Sequence, residues 1–128
     1  MALLPLNTFK TKTSILSTGT TSRIYTAPVG VTSIVLMANA SNVDLQNTRL
    51  VTLAHYRNFP VLPDTQGNGG QSGNVTTEQV LRFPIPPNDA GSLLAGKLII
   101  ESLDSIIAYS DAEGSIKVTL SILETANA

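Results

Sequence analysis

The chain has 128 residues, no cysteine and a net charge of −1, which suits a single domain and excludes disulfides and thiolate metal sites. Only 13% of its residues are charged, about half the usual fraction, and its basic residues are scattered, so we expect no nucleic-acid partner. We expect neither membrane insertion nor secretion, because apolar runs such as 34–38 fall short of the roughly 20 residues of a spanning helix and the N-terminus has no basic region.

Alternation of apolar and polar residues predicts β-strands, and in the first half of the chain they fall at 8–16, 23–26, 32–40 and 48–57. Residues 8–16 carry Lys10 and Lys12 on one face, which discourages edge-to-edge pairing. The sequence Ala27-Pro28-Val29-Gly30 predicts a type I turn, with proline second and glycine fourth.

The predicted strand 32–40 is apolar on both faces. Ile34 and Leu36 alternate with Val35 and Met37. We expect Ile34 and Leu36 to face the core. Val35 and Met37 then lie on the opposite face, where they are candidate contacts with another subunit.

A long loop at 58–74 interrupts the strands, with two prolines and four glycines. Loops of this length are uncommon inside compact domains, and they are usually functional or disordered. Its apolar residues are concentrated at the start, in Phe59, Val61 and Leu62. The loop is therefore either a mobile surface segment or an arm that contacts a partner through these three residues.

The second half of the chain predicts strands at 76–83, 97–103, 105–109 and 116–122. The last is the clearest, and its core face consists of Ile116, Val118, Leu120 and Ile122. Between these strands we expect an edge or crossover at 84–89, a short helical turn at 89–94 and a hairpin connection at 111–114. About eight short strands in one domain, residues 1–128, predict an all-β antiparallel sandwich, for which the jelly roll is a candidate topology, with a small barrel as the alternative.

Catalytic chemistry is not indicated by any residue pattern, and we expect no enzyme activity and no cofactor. His55 is the single histidine, and we interpret it as a strand or interface residue because no orienting partner for catalysis can be identified. Three acidic residues would converge at one hairpin end: Asp104, Asp111 and Glu113. They either hold Ca²⁺ or form a solvated turn. The solvated turn is favoured, because the closely alternating acidic ligands of a calcium loop are missing.

Four blocks of sequence carry a resemblance to a known group of proteins: LPLNTFKT at 4–11, IYTAPVGVTSIVL at 24–36, GKLIIE at 96–101 and VTLSILE at 118–124. They resemble small virion structural proteins of tailed phages, of the cyanophage type. The resemblance implies a component of the phage particle, made in the host cytoplasm and incorporated into the virion. It implies no catalytic residues and does not distinguish capsid, neck, tail and fibre positions.

Two functions follow as expectations. The first is a non-enzymatic structural subunit, such as a capsid cement or decoration protein or a neck or tail subunit, which contacts other phage particle proteins and its own copies. The alternative is a carbohydrate- or receptor-binding β-sandwich of a phage fibre or adhesin. That alternative predicts a shallow groove lined by aromatic rings and amides, and the chain has only three tyrosines and three phenylalanines.

Overall fold

A computed structural model describes residues 7–57 and 76–126, which form nine β-strands and contain no helix. The strands are β1 (Asn7–Ile15), β2 (Arg23–Thr26), β3 (Val31–Asn42), β4 (Arg49–Tyr56), β5 (Thr76–Ile85), β6 (Ala90–Ser92), β7 (Leu98–Ile100), β8 (Ser105–Ser110) and β9 (Ile116–Ala126). The all-β prediction is confirmed, and each of the eight predicted strands is present. The predicted loop at 58–74 lies outside the described residues. The described residues also form no helix that is long and apolar enough to cross a membrane.

Two antiparallel sheets form a sandwich. The five-stranded sheet has the order β1-β9-β3, and β6 and β7 lie end to end along the far edge of β3, paired with its residues 39–41 and 33–35. The four-stranded sheet has the order β2-β8-β4-β5. The chain changes sheet at every connection except β4–β5 and β6–β7. With β6 and β7 counted as one interrupted strand, this connectivity is that of a jelly roll.

The core lies between the two sheets, and β9 and β3 contribute many of its side chains from the five-stranded sheet. The predicted inward residues of the last strand, Ile116, Val118, Leu120 and Ile122, are all buried, so this part of the core prediction is confirmed. They pack against Val51, Leu53, Ile106 and Ala108 of the four-stranded sheet within one hydrophobic cluster. Burial of each large aliphatic side chain contributes about 1.5–3 kcal/mol to folding.

A β-bulge in β3 overturns the face assignment made for this strand. Val35 pairs with Ile122 and Met37 pairs with Ser121, so Leu36 is an extra residue with no partner on β9. Because the bulge resets the alternation, Val35 points inward and is 0% exposed, whereas Ile34 and Leu36 are only half-buried. The placement of Ile34 and Leu36 in the core was wrong, and so was the expectation that Val35 contacts another subunit.

The segment expected to form a helical turn at 89–94 instead contributes β6. Residues 90–92 pair with 39–41 of β3, and Leu93 N donates to Ala38 O at 2.8 Å. These hydrogen bonds satisfy the backbone N–H and C=O groups on the edge of β3 beyond the bulge, and this pairing favours an extended conformation over a helical turn. Gly91 permits the close packing, since a Cβ there would lie 2.9 Å from the ring of Phe83.

Two predicted turns also differ from the structure. The connection 111–114 is not a hairpin, because β8 and β9 belong to different sheets and the chain crosses the sandwich there. The other turn spans 28–31, since Val31 N donates to Pro28 O at 3.2 Å and Gly30 has φ of 75°. A positive φ at the third position is the signature of a type II turn rather than type I.

The edge predictions are confirmed. β1 is the outer strand of the five-stranded sheet, and its lysines point to the inner side of the sheet, where Lys10 and Lys12 stand opposite Ile122 and Leu120. Inward-pointing charges on an edge strand discourage pairing with further strands. β5 is an edge of the other sheet and accommodates Pro84, whose missing N–H would break a central ladder.

Candidate functional site

A row of apolar side chains crosses the outer face of the five-stranded sheet. The strand register places Phe9 of β1 opposite Leu123 of β9, Leu123 opposite Ile34 of β3, and Ile34 opposite Ile99 of β7. Phe9 is 75% exposed and Ile99 is 57% exposed, whereas Leu123 and Ile34 are half-buried between them. We call these four residues the apolar row. At about 4.8 Å between strands, the row extends roughly 14 Å.

Beyond the apolar row, the outer face carries the apolar side chain of Ile15 of β1, which is 66% exposed, and is otherwise mainly polar and almost uncharged. Met37, 41% exposed, is the next outward side chain of β3 after the bulge. Among the described residues that the register directs outward, Lys117 alone carries a charge, and the others are mainly threonine, serine and asparagine: Asn7, Thr11, Thr13, Thr32, Asn39, Ser41, Ser92, Thr119, Ser121 and Thr125. β-Branched threonine suits a strand surface. Its hydroxyl is hydrated but uncharged, so it does not repel a neighbouring copy.

The outer face of the four-stranded sheet is different, because its own side chains cover it. Thr52, Ala54 and Ile107 are buried although they alternate with the core residues of β4 and β8. Arg23, which stands opposite Ile107, lies with its guanidinium 4.8 Å from the ring centroid of Tyr56. This cation–π contact shields the sheet. Leu81 of β5 is 63% exposed on this sheet, but the row of apolar groups that crosses a sheet from strand to strand lies on the outer face of the five-stranded one.

A buried polar network joins the two sheets beneath β1. Tyr25 of β2 donates its hydroxyl to Glu124 Oε2 of β9 at 2.6 Å, and its oxygen lies 2.7 Å from the Ser33 hydroxyl of β3. Lys10 Nζ lies 3.2 Å from Glu124 Oε1. Burial and the adjacent Glu124 carboxylate raise the pKa of Tyr25 to about 12. Tyr25, Glu124 and Lys10 also line a cleft of about 290 Å³.

Replacing Tyr25 with Phe is expected to lower the free energy of unfolding by about 1.5–3 kcal/mol at neutral pH, since a buried hydrogen bond to a charged group is lost. Ser33→Ala is the matched control, because it keeps the Tyr25–Glu124 bond and should cost about 1 kcal/mol. Urea denaturation of both variants measures the difference. Equal losses in the two variants would contradict the assignment of Glu124 as the principal partner.

Wild-type stability is expected to fall between about pH 10 and pH 12. The folded-state pKa of Tyr25 lies above its ordinary value of 10.0, so in this range the unfolded chain releases a proton that the folded chain retains. Linkage then makes stability decline as the pH rises through this window. Thermal unfolding at stepped pH should show a shallower decline for Tyr25→Phe than for wild type. Parallel curves would contradict this origin of the decline.

His55 belongs to a cluster of charged and titratable side chains at the C-terminal end of β4. Its Nε2 lies 3.2 Å from Asp104 Oδ2, and Arg57 Nε lies 2.9 Å from the same oxygen. Arg57 Nη2 reaches Glu101 Oε2 at 2.8 Å. The predicted strand position of His55 is confirmed. The cluster ties β4 to the segment that leads into β8.

The predicted convergence of Asp104, Asp111 and Glu113 is wrong. Asp104 precedes β8 and Asp111 follows it, so the length of the strand, roughly 20 Å, separates them. Asp111 Oδ1 accepts from Leu50 N at 3.2 Å, and Glu113 Oε1 accepts from Thr18 N at 3.4 Å. Within 7–57 and 76–126, no three acidic or histidine side chains are grouped so that they could hold a metal ion.

The predicted contact residues have different outcomes. Met37 lies on the open outer face, and its contact with a partner stays a prediction, whereas Val35 is enclosed in the core. Phe59, Val61 and Leu62 lie outside the described residues. The apolar row was missed, although one signal was present: Phe9 alternates with Lys10 and therefore faces the side of β1 opposite the lysines.

No family model matches this chain, and no curated protein matches it in sequence. What the protein does is therefore inferred from its own surfaces.

Proposed function

We propose that the chain is a non-enzymatic structural subunit of a tailed-phage particle, as a capsid cement or decoration protein or a neck or tail subunit. It acts through protein–protein contacts, and the outer face of the five-stranded sheet is the principal contact surface. The observation that carries the proposal is the apolar row, exposed at Phe9 and Ile99 within a face whose strand ladders have one charged outward side chain, Lys117.

Exposed apolar side chains grouped on one sheet face favour association in water. Burying Phe9 and Ile99 against a partner would contribute about 1.5–3 kcal/mol each. The hydroxyl and amide groups around them form the polar rim that surrounds the apolar centre of many protein interfaces. The scarcity of charge also removes the desolvation penalty that charged groups would add on burial.

The fold and the sequence resemblance both support a structural role in a phage particle, by analogy. Jelly rolls recur in viral capsid domains and in lectins, although a fold alone does not assign a function. The blocks at 24–36 and 118–124, which resemble phage virion proteins, include most of β2, the first half of β3 and most of β9. Two of these strands, β3 and β9, belong to the sheet that carries the proposed contact face.

A glycan- or receptor-binding module is the rival function, and it needs exposed aromatic rings in a groove. The cleft beneath β1 contains one aromatic residue, Tyr25, whose hydroxyl is engaged with Glu124 and whose ring is buried. Tyr56, in turn, is stacked under Arg23. These engagements favour the structural role over glycan binding.

The test is to purify particles of a tailed phage that carries this gene and to quantify the chain against the major capsid protein by mass spectrometry. We expect the chain in a fixed ratio to the capsid protein. Many copies would identify a cement or decoration protein, and few copies a neck or tail subunit. A chain abundant in the lysate but missing from the particles would overturn the proposal.

A further inference from the structure

We infer that the partner on the outer face is a second copy of this chain, so that two five-stranded sheets pack face to face with apolar row against apolar row. The inference deepens the proposed function, because it uses the same contact surface and names its occupant. It follows from the charge, symmetry, size and edge structure of that face.

Charge favours a copy over a partner recruited by electrostatics. Within the strand ladders, Lys117 is the one charged outward side chain, and it lies at one end of the sheet beside Ile15 and Ser41. Lys97 and Glu101, which have opposite charges, flank β7 at the margin of the face. The apolar row lies toward the other end, where Phe9 pairs with Leu123. Two copies can therefore meet over the row with no like charges in its centre. A face with almost no charge gives no attraction to a charged partner surface.

The arrangement of the row also suits a twofold axis. Most soluble oligomers are closed and symmetric, and in a twofold dimer the same patch meets itself. An axis in the interface along the row would place Phe9 on Phe9 and Ile99 on Ile99 of the second copy. An axis across the row would place Phe9 on Ile99, and Leu123 on Ile34. Both arrangements cover apolar groups with apolar groups.

The face has the size that a specific interface needs. β1 has nine residues and is roughly 30 Å long, and β1, β9, β3 and β7 with their side chains span roughly 20 Å. Each copy can therefore bury on the order of 600 Å², and the pair on the order of 1,200 Å², the lower bound of specific complexes. We expect a dimer of micromolar affinity.

Edge pairing is the competing way for two copies to meet, and the lysines of β1 oppose it. In an antiparallel pair of β1 strands centred on Thr11, each Lys10 would stand opposite the Lys12 of the other copy. Like charges that are directly opposite destabilise a strand pair. Pairing of two β1 edges in this register is therefore disfavoured, which favours the outer face as the self-complementary surface.

Sedimentation of the purified full chain from about 1 to 100 µM tests the inference, because that range brackets micromolar affinity. Wild type should dimerise. Ile99→Lys should weaken dimerisation at least about tenfold, because it replaces an apolar interface side chain with a charged one, and the loss of an interface residue that contributes more than about 1.4 kcal/mol corresponds to a tenfold change. Leu81→Lys is the matched control, since Leu81 is 63% exposed but lies on β5 of the other sheet. Its dimerisation should equal that of wild type. Far-UV circular dichroism and a melting curve verify that each variant is folded.

A double variant distinguishes the two axes. Phe9→Lys with Ile99→Glu should restore dimerisation if Phe9 meets Ile99 of the second copy, and should abolish it if each residue meets itself. Either result supports a face-to-face dimer, provided that Ile99→Lys alone weakens it.

A wild-type chain that is monomeric at 100 µM, or a folded Ile99→Lys variant that dimerises as well as wild type, would overturn the inference. Neither result would overturn the proposed function, which depends on the presence of the chain in particles. Conversely, a dimer that is missing from particles would remove the proposed function and leave the dimer in place.

Discussion

A Val35→Asp variant is expected to lose more than about 4 kcal/mol of stability, because an isolated carboxylate would be buried without a partner. Val35 is 0% exposed, stands opposite Ile122 and belongs to the core cluster. Domains of this kind are stable by about 5–15 kcal/mol in total, so the substitution should remove a large part of the stability of the domain. Urea denaturation followed by circular dichroism measures the loss.

Met37→Asp is the matched control, two residues further along β3. Its side chain lies on the opposite face, beyond the bulge, and is 41% exposed. The same substitution should therefore change the free energy of unfolding by less than about 1 kcal/mol. If the two variants were equally destabilised, Val35 and Met37 would share a face and the bulge at Leu36 would be wrong.

Asp104→Ala is expected to cost about 3 kcal/mol, the lower end of the range for breaking a buried ion pair by removal of one partner. The carboxylate is only 2% exposed, and one of its oxygens contacts both His55 and Arg57. Its removal leaves the Arg57 guanidinium partly enclosed without that oxygen. Thermal and urea unfolding at pH 7 measure the effect.

Glu101→Ala separates the buried pair from the exposed pair on the same arginine. Glu101 contacts Arg57 at 2.8 Å, and its side chain is mostly exposed. Exposed ion pairs contribute about 0–1 kcal/mol, so this variant should unfold nearly as wild type does. A loss as large as that of Asp104→Ala would show that the exposed part of the cluster carries the stability.

The strands and their class could be predicted because alternation is a local signal. In 116–122 every second residue is a large aliphatic one, and the same residues line the core. Proline and lysine likewise marked the edge strands β5 and β1 correctly, because the missing N–H of Pro84 and the inward-pointing charges of Lys10 and Lys12 are poorly suited to a central strand.

The errors arise where a nonlocal partner decides the geometry. A run of apolar residues such as 34–37 contains no mark of the extra residue that resets its alternation, so Val35 and Ile34 were assigned to the wrong faces. The choice of sheet for β9 is also nonlocal, and 111–114 therefore read as a hairpin although it crosses the sandwich. The expected convergence of Asp104 and Asp111 failed for a local reason, because the strand predicted at 105–109 already lay between them and its length separates its two ends.

The apolar outer face was only partly predictable. The excess of apolar residues in β3 indicated apolar side chains on both of its faces, and Met37 does lie on the open side. The apolar row itself depends on four strands that are brought together by register. Phe9 and Leu123 are more than one hundred residues apart in the chain, and no local pattern connects them.

The position of β1 has a consequence for how the molecule opens. β1 is held by a ladder to β9 alone and has exposed side chains along nearly all of its length, and the buried Leu16 anchors its end. Such an element belongs to the low-stability end of a native protein, so its amides should exchange with solvent while those of β9 and β3 stay protected. Once β1 detaches, the vacated edge of β9 accepts an identical strand in the same register from a neighbouring molecule. Reciprocal strand exchange would then link copies that the lysines prevent from pairing edge to edge.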